Sequence, residues 1–541
     1  MSVVSPGPSG AGPAAPAATR LARSAGVVGF ATLTSRVLGL VRDQVMAYLF
    51  GAGNAVDAYN VAFRIPNLVR DLFAEGAMSA AFVPTFTRTL TRDGREEAWR
   101  LGNNVVTTLL VATGLLTVGA LLLSRPLVTA FAGDFASVPG KLELTIQLTR
   151  ELLPFLVFVA IAAAMMGMLN SLDQFFVPAL SPAMFNVASI ACALFLVPLM
   201  APIGQPPITA MVIGALVGGI GQVAIQWWAL RKLGYRYRVR LDVSDPGLRR
   251  VLVLMGPGTI GLAATQVNIF VNTILATSEG TGAVSWLNYA FRLMYLPLGI
   301  FGVSLATAAL PAISRHAARN DGDGVRHEVA NSLAMMLLLN VPATFGLLVL
   351  ARPIVSMLFE RGAFTSHDTD ATAAALVCYA LGLVGYSAVK LAAPTFYALH
   401  DGRTPVVVSV ASVVFNTSIN LLLVRHFGYL GLAVGTSVTS VLHAGVLLEL
   451  LRRRLQGIET ARLAGVLVRV TVASIVMAAV AWGCQYGLDH LLPGRELLRQ
   501  VVRVGTSIGI ALVTLAALAR ILGVAEIHHI LGEVRRRLPG Q

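Results

Sequence analysis

Apolar stretches long enough to cross a bilayer follow one another along these 541 residues, and they leave few other folds open. A spanning helix needs about 20 apolar residues. Windows of that kind fall near 25–50, 61–87, 103–123, 146–170, 177–199, 208–230, 251–277, 283–310, 329–350, 371–399, 404–424, 429–451, 463–484 and 500–522. Only 13% of the residues are charged, where a soluble domain carries about 25%. So little charge cannot cover a water-facing surface. The expected fold is an all-α polytopic membrane protein with 14 transmembrane helices. The second window is interrupted by Arg64, Arg70, Asp71 and Glu75.

The basic residues alternate from one connection to the next. One set of connections holds Arg88, Arg92, Arg95 and Arg100, then Arg231, Lys232, Arg236, Arg238, Arg240, Arg249 and Arg250. The same set continues with Arg315, Arg319, Arg326, Arg403, Arg452, Arg453, Arg454 and Arg462 and ends at Arg535–Arg537. The opposite set holds only Arg125, Lys141, Arg352, Arg361, Arg425 and Arg495. Because cytoplasmic loops collect Lys and Arg, both termini are expected in the cytoplasm. The net charge of +14 then reflects topology and anionic headgroups, and nucleic acid is not an expected partner. The charged 231–250 connection reads as a surface helix lying on headgroups. Residues 1–24, rich in Pro, Gly and Ala, read as a disordered tail, with no cleavable signal peptide, since the apolar segment from Ala25 is too long and too charged.

An internal repeat divides the rest. Ala62-Phe63-Arg64 recurs as Ala290-Phe291-Arg292; Pro84 with Arg88 recurs as Pro311 with Arg315; Leu172-Asp173 before Pro178 recurs as His400-Asp401 before Pro405. All share an offset of 227 or 228 positions. Six helices fit that period, and an even number keeps the copies parallel. The expected organisation is a lobe over 25–240, a second over 241–455, helices 13 and 14 over 456–525 and a basic tail over 526–541.

Charges inside the spans carry the functional signal. Arg36, Arg42 and Asp43 lie in helix 1, Arg64, Asn67, Arg70 and Glu75 in helix 2, Arg292 in helix 8 and Lys390 in helix 10. Each charge costs roughly 2.5–3.5 kcal/mol at the bilayer centre, so several arginines facing lipid are untenable and a wet cavity is expected. Their bland reading is snorkelling or pairing with nearby carboxylates: Arg42 has Asp43 beside it, Arg36 and Asp43 share a helix face, and Arg70 has Asp71 and Glu75. Arg292 has no acid within ten positions on its helix and Lys390 none in its span, so these two argue most for positive excess. A cationic cavity suits an anion, and guanidinium suits phosphate because its planar fork donates two parallel hydrogen bonds. Exporters of cationic drugs call for the opposite sign.

Other signals are weak. Gly256-Pro257-Gly258-Thr259-Ile260-Gly261 fits a dinucleotide-binding pattern but opens a membrane helix with no strand before it. Cys192, Cys378 and Cys484 sit singly in apolar segments, and His528-His529 lacks companions at metal spacing. No metal, cofactor or catalytic constellation is expected.

The stretch Ser35-Arg36-Val37-Leu38-Gly39 through Arg42-Asp43, then Gly51-Ala52-Gly53, Asp57-Ala58, Pro66-Asn67-Leu68, Arg70 and Phe73-Ala74-Glu75-Gly76, resembles the signature of MurJ (MviN) lipid II flippases. The likeness continues through Ser285-Trp286, Tyr289-Ala290, Arg292-Leu293, Pro297, Gly299 and Gly302-Val303, then Lys390, Ala393-Pro394, Phe396-Tyr397 and Thr404-Pro405. The resemblance implies a fold of the MOP exporter superfamily, a central cationic cavity, and a lipid-tail groove along helices 13 and 14. It implies lipid II as substrate, membrane lipids and cell-wall synthesis proteins as partners, and a bacterial inner-membrane location. Essential cavity arginines would fall on Arg36, Arg42, Arg70 and Arg292, with Asn67 and Lys390 beside them. Asp43, Asp57, Arg64 and Glu75 would act as charge partners or gates, with Asp57 and Glu75 pairing with arginines when the site is empty. Two departures stand out. Many members carry an acid just before the helix-8 arginine, where this chain has Phe291. Where some members have an acid for sodium in helix 7, it has Gln266, Asn268 and Asn272, which argues against sodium coupling. The alternatives are a related exporter of another lipid-linked oligosaccharide or of drugs, and a scaffold that transports nothing.

Overall fold

The computed structural model describes residues 17–70 and 78–523, with side chains described outside 17–28, 69–70, 79–80 and 256–265. Every regular element among them is helical, as lipid demands, since a helix satisfies its own backbone groups. The helices are α1 (Ala17–Phe50), α2 (Asn54–Arg70), α3 (Met78–Arg92), α4 (Arg95–Leu122), α5 (Ser124–Ala132), α6 (Lys141–Leu152), α7 (Phe155–Ser171), α8 (Phe176–Met200) and α9 (Thr209–Lys232). There follow α10 (Pro246–Thr277), α11 (Ala283–Pro297), α12 (Ser304–Ala318), α13 (Gly322–Phe359), α14 (Ser366–Ala380), α15 (Leu383–Ala398), α16 (Arg403–Phe427), α17 (Tyr429–Arg454), α18 (Thr460–Leu491) and α19 (Leu497–Ile521). Among the described residues, 10 helices are long and apolar enough to cross a membrane, and 11 if the α14–α15 pair, bent by 45°, is one span.

The chain forms two compact units. The first comprises 1–42, 69–119 and 152–258, the second 43–68, 120–151 and 259–541. In the first unit, Phe82, Phe86, Leu101, Met165, Met168 and Leu230 form one core. Small residues let its helices close: a Cβ on Gly214 or Gly218 of α9 would stand 2.7 or 2.6 Å from the α8 backbone at Ser189 or Phe185. The 231–250 connection corrects the expected surface helix. After α9 it is irregular, and α10 begins only at Pro246. The α4 side chains hold it there. Asn104 accepts the Asp242 N–H at 2.9 Å and donates to its carbonyl at 2.8 Å, while Tyr235 is sunk in the core. Those two bonds satisfy the Asp242 backbone without a helix.

In the second unit, α12, α13, α15 and α17 share a core of Ile313, Val329, Leu391, Phe396, Leu447 and Leu451. α18 and α19 dock on α13 through Leu338, Val470 and Ala519, and again through Leu350, Met477 and Ala511. At the α14–α15 bend, Gly382 and Gly385 abut the α17 backbone at Ser437 and Ser440. α17 bonds the carbonyls at the bend: Ser437 Oγ donates to that of Cys378 at 2.7 Å, and Ser440 Oγ donates at 2.9 Å to that of Gly382, which also accepts the Tyr386 N–H at 2.9 Å. Between α11 and α12 the helix continues through a π segment, Leu298–Val303, directly after Pro297. Proline lacks the N–H that would continue the ladder, and widening is one way to absorb it.

The Gly256–Gly261 pattern lies within α10, a continuous helix, so it has no strand-to-turn context. Cys192, Cys378 and Cys484 are free thiols, and the described residues hold no cluster of metal-ligating side chains. Glu75, Arg535–Arg537 and His528-His529 lie outside the described residues.

Candidate functional site

Asp57, in the first turn of α2, is fully buried and accepts four hydrogen bonds. α11 begins after Gly282, which adopts φ 94 and has no side chain to cap the helix. Asp57 does so from another helix. Its Oδ1 accepts the Ser285 N–H at 3.0 Å and the Ser285 hydroxyl at 2.6 Å, and its Oδ2 accepts the Gly282 N–H at 2.7 Å. A carboxylate at a helix N-terminus satisfies otherwise orphaned N–H groups and meets the positive end of the dipole. The remaining acceptor position on Oδ2 takes Lys141 Nζ at 2.8 Å. That ammonium, from the start of α6, is itself buried and lies 4.0 Å from the centre of the Phe135 ring. Four donors fill the acceptor capacity of one carboxylate.

Neighbouring bonds tie the same helix ends together. Thr281 Oγ1 donates to Asn54 Oδ1 at 2.8 Å, the Ala363 N–H to the Tyr48 carbonyl at 2.8 Å, and Trp286 Nε1 to Asp368 at 2.9 Å. Asp57 and Ser285 are 228 positions apart, Asn54 and Thr281 227. Those separations equal the period of the sequence repeat.

Farther along α11, the Arg292 guanidinium bonds both carboxylate oxygens of Asp43 on α1. Asp43 is buried, while 44% of the Arg292 side chain stays open. This corrects the expectation that Arg292 is unmatched; its acid comes from a helix 249 positions away. It also shows that the acid beside Arg42 bonds Arg292. Asp57 corrects a second expectation, because its partners are a lysine and a helix end instead of an arginine. Arg64 and Arg292 both line a pocket of about 370 Å³ within the second unit, together with Asn268, Asn272, Tyr379 and Tyr386. Lys390 is exposed on α15.

In the first unit, Arg36 is exposed on α1, and Arg42 is half-buried with its guanidinium 5.1 Å from the Phe185 ring centre. Asn186 donates to the Ser35 carbonyl at 3.0 Å and lies against Gly39. Asn67, in the second unit, is half-buried, with its Oδ1 sealed and without a hydrogen-bond partner among the described residues. Arg70 ends α2, and its side chain lies outside the described residues. Sequence reasoning missed Lys141. It falls just before an apolar window and reads as a loop charge; only its burial marks it.

Comparisons with known proteins agree. A family model described as lipid II flippase MurJ matches residues 46–501. A Vibrio cholerae protein described as "Probable lipid II flippase MurJ" is 35% identical over 524 residues, covering 93% of this chain and 97% of that protein. A solved structure titled lipid II flippase MurJ, inward closed conformation, superposes with a TM-score of 0.75 at 23% identity, covering 92% of this chain and 99% of the other. An inward-facing multidrug resistance MATE family transporter of the MOP superfamily shares the fold more distantly, with a TM-score of 0.67 at 15% identity over 79% of this chain and 96% of its own. The chain belongs to the lipid II flippase MurJ family.

Proposed function

We propose that this chain moves lipid II, the polyprenyl-diphosphate-linked peptidoglycan precursor, from the cytoplasmic to the periplasmic leaflet by alternating access. It is a multi-pass bacterial inner-membrane protein and a transporter, not an enzyme. The observation that carries the reading is the sign of the charge inside the helices. Arg36, Arg42, Arg64, Arg292 and Lys390 stand against Asp43 and the buried Asp368, which bonds Trp286 and Thr365, while the buried Asp57 is neutralised by Lys141. That surplus fits a diphosphate and repels a drug cation.

In this reading the chain crosses the membrane 14 times with both termini in the cytoplasm, and lobes 25–240 and 241–455 rock about the substrate. Arg36, Arg42, Arg70 and Arg292 clamp the diphosphate, with Arg64, Asn67 and Lys390 completing the site. Asp43 holds Arg292 until phosphate displaces it. α18 and α19 carry the polyprenyl tail. Asp57, which caps α11, closes the periplasmic side, and Glu75 acts as a further gate. With the interior negative, moving two anionic charges outward across about 100 mV gains roughly 4–5 kcal/mol, so membrane potential suffices as the driving force.

The test is reconstitution in vesicles with labelled lipid II. Flipping is expected with a potential and at least tenfold slower without one, and Arg292→Ala should abolish it. Equal rates with and without potential would remove the driving force from the proposal. A protein that carries a drug cation in place of lipid II would remove the function.

A further inference from the structure

Residues 235–245 of the first unit carry no helix between α9 and α10, and their backbone bonds to α4 fall on even positions. The Arg236 carbonyl accepts Asn103 Nδ2 at 3.3 Å, the Arg240 N–H donates to Thr107 Oγ1 at 3.3 Å, and Asp242 makes both its backbone bonds with Asn104. Odd positions differ. Val239, Leu241 and Val243 are 81%, 54% and 69% exposed, and their N–H and C=O groups have no partner among the described residues. A period of two is that of a β-strand, whose successive residues turn their bonding groups to opposite sides. α4 takes the even side. The odd side is a bare edge, and an apolar edge of this kind is a template for another chain.

Charge says which chain. Arg231, Lys232, Arg236, Arg238, Arg249 and Arg250 are exposed in and beside this run and have no acidic partner among the described residues, while Asp242 is matched by Arg240. A bilayer fits poorly: drawing Val239 and Leu241 into hydrocarbon takes their unmet backbone groups along, and lipid cannot satisfy them. A second copy fits no better, since edge on edge sets Arg236 and Arg238 against their own kind. A peptide with acidic and apolar side chains in alternation meets every requirement. It returns the backbone bonds, lays its apolar face beside Val239, Leu241 and Val243, and turns its acids to the side of Arg236 and Arg238.

We propose that this edge docks an extended acidic segment of a partner protein by strand addition, on the cytoplasmic side in the topology read above. The inference is independent of what the chain carries across the membrane.

The test titrates the full chain, in nanodiscs of neutral lipid, with a labelled peptide that alternates Glu and Val over the length of the edge. This peptide is expected to bind and to be released by salt, which screens the exposed arginines. N-methylation of alternate peptide bonds removes the donors that face the edge and keeps every side chain; it should weaken binding by about fivefold for each bond lost. Arg236→Glu with Arg238→Glu should abolish binding of the Glu–Val peptide and admit a Lys–Val peptide that the wild type refuses. Hydrogen exchange at Val239 and Leu241 should be fast in neutral and anionic nanodiscs alike and slow once the Glu–Val peptide is added. The methylation arm uses wild-type protein, so it stands whether or not the double variant folds. Failure of the Glu–Val peptide to bind, or equal binding of its plain and methylated forms, overturns the proposal. Slow exchange at Val239 and Leu241 in anionic nanodiscs without peptide assigns the surface to the membrane and overturns it as well.

Discussion

Lys141 offers the sharpest perturbation. Its side chain is 1% exposed and that of Asp57 0%, with 2.8 Å between them. Removing one partner of a buried pair costs about 3–5 kcal/mol. Asp57 keeps its three bonds to α11, so the lower end applies, about 3 kcal/mol. Once α11 parts from α2, water reaches the carboxylate, and an exposed pair is worth at most about 1 kcal/mol. Lys141→Met should therefore disfavour the closed gate by about 2–3 kcal/mol, a shift of roughly 30- to 150-fold in the closed-to-open ratio. Asn54 and Thr281 are bonded across the same contact and report on it. With Cys192, Cys378 and Cys484 replaced, Asn54→Cys with Thr281→Cys should join rapidly through a short thiol cross-linker. Adding Lys141→Met should slow that joining at least tenfold, Lys141→Arg should largely restore it, and Asp57→Asn combined with Lys141→Met should recover part of the loss. Wild-type cross-linking in a folded Lys141→Met protein would show that the ammonium only props the α5–α6 loop, and the reasoning would fail.

Three further outcomes are expected. Asp43→Asn removes the acid that occupies Arg292, so inorganic pyrophosphate should bind several-fold more tightly in an equilibrium titration; unchanged affinity would mean that Asp43 does not compete. Gly431→Ala on α17 puts a Cβ 2.4 Å from the Leu423 carbonyl oxygen of α16, a backbone atom that cannot step aside, and overpacking of that kind costs about 1–3 kcal/mol; the melting temperature should fall by several degrees, whereas Gly445→Ala, in open space, should not move it. Asp401, in the loop before α16, is held below the usual carboxylate range first by the Thr404 N–H, then by the Thr404 hydroxyl and more weakly by Arg454. A depressed carboxylate stabilises the fold above its ordinary value near 4 and loses that contribution as pH falls through its folded value, so the loss of melting temperature below pH 4 should shrink in Asp401→Asn.

The spans were legible because low charge and long apolar runs are local properties. The period expected from the sequence repeat is also the separation between Asp57 and Ser285, 228 positions. Arg292 was misread because neighbours were sought along its own helix, while Asp43 comes from the other end of the fold. The α14–α15 bend leaves no mark on its own run, since Gly382 and Gly385 yield to Ser437 and Ser440 some 55 positions later. The arginines of the connection after α9 suggest a helix; Asn103, Asn104 and Thr107 on α4 hold it irregular instead, through bonds about 130 positions long. Local chemistry announced what lipid requires of each segment. Which buried charge meets which is a property of the assembled bundle.

The wide turn at Leu298–Val303 stores one residue more than a regular helix of the same rise would use. Drawing that residue into the ordinary pitch turns everything before it by about 100° around the axis, with every backbone group still bonded. Ile313, on the far side, is locked in the core. Arg292 and Ser285, on the near side, are held by Asp43 and Asp57 and turn once those bonds part. The span is thus a spindle: it can present its guanidinium to a new quarter of the compass without breaking a helix in lipid.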